Sequence, residues 1–155
     1  MIYQPVLQWG PSAAGGGNFW TVASWFADGS GGPAFHSPLR RVNAGSVLVG
    51  EITLTGQTAT RFNYRCRFQG IPFTTLPIQN VNELRWCIET LEAYNLVLCS
   101  NNPATPSTSF REIEILTGTT HPVLNWTPTV LVADCGQNVK VVSNANPGGQ
   151  VNIFY

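Results

Sequence analysis

The run RFNYRCRFQ alternates without a break. Phe62, Tyr64, Cys66 and Phe68 fall on one side, and Arg61, Asn63, Arg65, Arg67 and Gln69 on the other. A period of two with one apolar and one polar row predicts a strand with a dry face and a wet face. Further β-rich runs occupy Val6–Trp9, Phe19–Phe26, Ser46–Thr55, Leu84–Thr90, Asn95–Cys99, Phe110–Leu116, Val130–Ala133, Gln137–Ser143 and Gln150–Phe154. Clusters of turn formers separate them: AAGGGN at 13–18, DGSGGP at 28–33, NAG at 43–45, NNPATP at 101–106 and NANPGG at 144–149. No stretch shows helical apolar spacing with caps. Short strands with regular turns predict one all-β domain over residues 1–155. The expected architecture is an antiparallel β-sandwich, jelly-roll or concanavalin-like, with two curved sheets.

Composition sharpens this picture. The chain has 155 residues, enough for a real core, and 43% of them are hydrophobic. Only 10% are charged, where about 25% is usual, so the surface must be made largely of Thr, Ser, Asn, Gln and Gly. Eight basic residues balance eight acidic ones, and Lys140 is the only lysine. A net charge of zero removes the electrostatic case for nucleic acid or an anionic membrane as partner. No run approaches the roughly 18 apolar residues of a membrane span. The N-terminus MIYQPVLQWG has neither a basic n-region nor an apolar h-region. The expectation is a leaderless protein or a mature secreted form with an added Met1, and the compartment stays open.

The candidate chemistry is sparse. Cys66, Cys87, Cys99 and Cys135 include no C-x-x-C and have no histidine nearby, so zinc is not expected. Two disulfides and free thiols are both open. Asn125-Trp126-Thr127 is one match to a loose glycosylation pattern. His36 and His121 lie in proline-bearing loops, Asp28 and Asp134 lie at turns, and there is no G-x-S-x-G. Two residues stand out instead. In Leu84–Thr90, Leu84, Trp86 and Ile88 share one face, while Arg85, Cys87 and Glu89 share the other. On a wet convex face Glu89 is surface; on a concave aromatic face its pKa can be tuned for proton transfer. Gln8 shares its side with Val6, opposite Leu7 and Trp9. Its amide is either polar surface or a donor to a developing oxyanion.

These segments resemble the eqolisins, the fungal glutamic peptidases. That family carries a glutamine in an L-Q-x-G strand, followed by a W-Y strand. Here VLQWG places Gln8, and NFWTVASWFADG places Trp25 and Phe26 at the aromatic positions. The family has next a β-rich strand opened by a Gly-Asp turn, read here in NAGSVLVGEITL. Its glutamate sits in N-A-E-[WF]-I-[IV]-E-D-F, and NELRWCIETLEAY places Glu89 there with Trp86 three residues before. SFREIEIL and QVNIFY fall at the last strands. The resemblance runs from Val6 to the C-terminus and implies a sandwich with a Gln/Glu dyad on a concave face. In it Glu89 would be the general base and Gln8 the oxyanion donor. Trp9, Trp20, Trp25 and Phe26 would be substrate-binding walls around a polypeptide, with no metal and no cofactor. A glutamate of ordinary pKa, about 4.3, suits acid conditions.

The departures are specific. The chain starts seven residues before Gln8, without the family's preceding cleft strand. Ser24 replaces a glutamate before the W-Y pair, and Arg85 replaces the acidic residue before the aromatic of the glutamate motif. Missing strands would leave sheet edges open for a second copy, which predicts a homo-oligomer. Two other readings stand beside the peptidase. One is a glycan-binding lectin-like sandwich, because aromatic rings stack on sugars and amides pair with hydroxyls. The other is a self-assembling structural or interaction protein.

Overall fold

The computed structural model describes all residues of the chain except Ser30, Pro33 and Asn95. It is all-β and its sheets are antiparallel; among the described residues the only helical segment is one 3-10 turn, Cys99–Asn101. The chain divides into two compact units, Met1–Arg85 and Trp86–Tyr155.

The first unit is a sandwich of two open sheets. One contains β1 (Ile2–Ser12), β2 (Gly15–Ala27), β3 (Phe35–His36) and β4 (Arg40–Arg41), with β3 and β4 both paired to β2. The other is β5 (Gly50–Gln57), β6 (Phe62–Phe68) and β7 (Leu76–Val81) in sequence order. Tyr3 and Phe26 lie opposite each other on β1 and β2, and with Tyr64 and Cys66 of β6 they form the buried cluster between the sheets. The Tyr3 hydroxyl bolts the layers together. It accepts from Cys66 N at 2.6 Å and donates to Leu76 O. Burial pushes its pKa up to about 12, so it remains a donor. Gly50 permits close approach: a Cβ there would lie 2.8 Å from the Pro5 ring.

The alternation of 61–69 produces the expected strand. Tyr64, Cys66 and Phe68 are buried. On the wet side Arg67 stands opposite Glu51 and pairs with it, and Gln69 Nε2 donates to the same carboxylate at 2.6 Å. Those two hydrogen bonds, Gln69 first, hold the Glu51 carboxyl below its ordinary pKa. The runs at Val6–Trp9 and Phe19–Phe26 fall on β1 and β2, and of the run Ser46–Thr55 only Gly50–Thr55 falls on β5, while 46–49 form no strand. The strand β7 was not expected. It contains Pro77 and pairs only with β6, as proline allows at a sheet edge.

The second unit contains β8 (Ser107–Ile113), β9 (Asn138–Ser143) and β10 (Gly149–Phe154), in the order β8-β10-β9. Val151 and Ile153 are buried on the central strand, with Phe110 and Val141 opposite Val151 and Val139 opposite Ile153. Cys99 and Cys135 form a disulfide, while Cys66 is free and buried and Cys87 free and exposed. The Asn146 amide fastens a loop: it accepts from Ile115 N and donates to Ile115 O and Pro122 O.

Two expected strands do not form. Leu84–Thr90 and Val130–Ala133 carry no ladder pairing. Trp86 is 89% exposed and Ile88 74%, so the apolar row expected to pack faces outward. Of the expected strand Asn95–Cys99, Asn95 lies outside the described residues and 96–98 form no strand. Ser30 and Pro33 of the expected 28–33 turn also lie outside them.

Candidate functional site

Gln8 sits one residue before Trp9, at the end of the regular β1–β2 register, which shifts between Trp9 and Gly10. Its amide spans that irregularity. Nε2 donates to Gly10 O at 2.8 Å and to Gly15 O at 3.0 Å, and Oε1 accepts from Ser12 Oγ at 3.0 Å. Both amide hydrogens are therefore committed to the turn. Gly16 makes this possible, since a Cβ there would lie 2.5 Å from Gly10 O and 2.6 Å from Gln8 Nε2. The side chain is a brace of the hairpin in this structure. Ser12, its hydroxyl partner, carried no signal in the sequence beyond its place near the turn.

The pairing register decides which predicted residues share a face. Residues directly opposite in an antiparallel pair project to the same side. Gln8 stands opposite Thr21, Val6 opposite Ala23 and Gln4 opposite Trp25. Trp9 stands opposite Trp20, and Tyr3 opposite Phe26. The four aromatics expected to line one cleft are thus divided. Trp9 and Trp20, with centroids 5.3 Å apart, and Phe26 project from the face that carries Tyr3. Phe26 is core. Trp25 shares the Gln8 face and stacks on His36 at 4.6 Å. That face also holds two buried polar atoms without a hydrogen-bond partner among the described residues, Thr21 Oγ1 and Trp25 Nε1. Such atoms are uncommon in native interiors, and a polar ligand or water would satisfy them.

Glu89 lies in the second unit. It is half-buried and, among the described residues, makes no hydrogen bond or ion pair. Burial alone pushes its pKa from an ordinary 4.5 up to about 7. No opposing charge or donor offsets the desolvation. A carboxyl titrating there can both give and take a proton near neutrality. The two histidines are engaged locally: His36 faces Ser37 O at 2.9 Å, and His121 pairs with Glu114 at 2.7 Å. No cluster of three or more metal-ligating side chains occurs among the described residues.

No protein-family model, no curated protein and no solved structure matches the chain.

Proposed function

We propose that the protein is a hydrolase of the glutamic-peptidase kind, cleaving polypeptide with Glu89 as its acid–base group. One observation carries this: a half-buried carboxyl with no ion-pair or hydrogen-bond partner, poised at about 7. As carboxylate, Glu89 takes a proton from a water whose oxygen attacks the peptide carbonyl. As carboxylic acid, it returns that proton to the leaving amine. The residues invoked need no metal or cofactor. The raised pKa moves the working range from acid towards neutrality. Gln8 lies in the first unit with both amide hydrogens committed to Gly10 O and Gly15 O, so the reading rests on Glu89 alone.

The test is cleavage of an unfolded protein substrate across acid to neutral pH, with pepstatin present to silence contaminating aspartic peptidases. The native chain should cleave and Glu89→Gln should not, while keeping its fold. Equal cleavage by both, or none by the folded native chain, would overturn the reading.

A second reading, assembly with a second copy of this chain, is favoured by the outward Trp86 and Ile88. Backbone from Trp86 to Tyr94 makes no backbone–backbone hydrogen bond among the described residues. Unpaired chain of this kind accepts an added strand. Mass should rise with concentration in light scattering and fall back in Trp86→Ser; a monomer at every concentration would contradict it.

A further inference from the structure

The zero net charge of the whole chain conceals an excess of arginine in the first unit, which holds six arginines against three carboxylates, Asp28, Glu51 and Glu83. Four of the six have a side-chain acceptor. Arg61 donates to Asn82 at 3.1 Å, Arg65 and Arg67 pair with Glu51, and Arg85 pairs with Glu83 at 2.9 Å. The remaining two, Arg40 and Arg41, have none among the described residues, and they are neighbours on β4. Both line one open cleft of about 460 Å³ between 39–42 and the turn at 70–72.

Each guanidinium is held by a ring. The Arg40 Cζ lies 5.4 Å from the Phe73 centroid and the Arg41 Cζ 4.6 Å from that of Phe19. Stacking engages the face of the guanidinium and leaves its N–H edge open to an acceptor. Adjacent residues of a strand project to opposite faces, so the two side chains flank β4, and both residues border the cleft. The cleft's other side chains, Leu39, Val42, Ile71 and Pro72, are apolar, which strengthens any ionic contact made there. Phe73 adds an independent sign. It is a bulky residue at φ +64°, a conformation that favours glycine, and it is 69% exposed. Backbone outliers of this sort concentrate at ligand clamps.

We propose that this cleft binds an oxyanion, the carboxylate, sulfate or phosphate group of a ligand, with Arg40 and Arg41 as its donors. The site stands on the first unit alone and does not rest on the role given to Glu89.

The test is an amide and arginine Nε–H NMR titration of the full chain at constant ionic strength. The probes are inorganic phosphate, inorganic sulfate, acetate, glucuronate and glucose, with chloride as the control. Saturable shifts at Val42, Gly70, Ile71 and both arginines are expected with at least one oxyanion and not with glucose or chloride. The preference among the anions assigns the source, carboxylate or sulfate and phosphate. Affinity should fall by about tenfold or more in Arg40→Ala and in Arg41→Ala. It should fall less in Arg41→Lys, which keeps the charge and loses the fork. Arg40→Gln and Arg41→Gln serve if alanine disturbs β4, judged from amide dispersion. Shifts that never saturate, that chloride reproduces, or that persist in the double alanine variant would overturn the proposal.

Discussion

The strand β6 and the segment Leu84–Thr90 start from similar material and end differently. Both mix apolar residues with arginine and a cysteine. In β6 every second residue is apolar, a partner strand lies on each side, and the wet-row residue Arg67 meets a carboxylate on β5. In Leu84–Thr90 only the first residue is anchored: Leu84 packs on the core cluster, and its N–H donates to the Tyr64 hydroxyl at 3.1 Å. Beyond it Trp86 and Ile88 turn outward. Alternation specifies a strand when its wet row has partners and its edges have neighbours. Apolar content alone does not.

This contrast can be broken at several points. The largest effect is expected where the second unit is tied covalently. Cys135→Ser opens a loop closed across a sequence separation of 36, which should cost roughly 3–4 kcal/mol by loop-closure entropy. Amide exchange should rise across 96–137 while β6 stays protected; uniform protection in the variant would contradict the account. Next comes Tyr3→Phe, which leaves Cys66 N and Leu76 O without their partner. Stranding buried backbone groups should cost about 2–3 kcal/mol, read from urea unfolding. A change near zero would mean that the hydroxyl is not a bolt between the sheets. Gln8→Ala should cost about 1–2 kcal/mol through the lost turn bonds. That loss should appear in urea unfolding; an unchanged stability would mean that the amide is not a brace of the hairpin.

A further effect is expected in pH dependence. Burial raises the folded pKa of Glu89 to about 7 from an ordinary 4.5. Between those values the folded state holds more protons than the unfolded one. Its contribution is therefore fully favourable below about 4.5 and is lost as pH rises through about 7. Glu89→Gln should flatten that segment of the stability–pH curve and stabilise the chain at neutral pH. An unchanged curve would remove the premise.

The strands were legible where the pattern had one dry and one wet row, as in β6, β9 and β10. The missed β7 breaks the pattern with Pro77 and draws its stability from pairing with β6 rather than from its own composition. The site was legible as residue types only. Gln8 and Glu89 could be picked out, but sequence does not say that Gln8's amide is consumed by Gly10, Gly15 and Ser12. The even and odd positions of Trp20 and Trp25 on one strand already put them on opposite faces, but that Trp9 joins Trp20 is set by the register of the hairpin. The Arg40–Arg41 doublet in LRRVN carries no motif. What distinguishes it is structural: among the described residues the other four arginines of the unit have side-chain acceptors and these two have none.

The most direct test of the central claim is a side-chain carboxyl NMR titration of Glu89 in the native chain, assigned against Glu89→Gln. The account predicts a midpoint near 7. A midpoint at the ordinary 4.5 would mean a solvated surface carboxylate, and with it the hydrolytic reading would lose the observation that carries it.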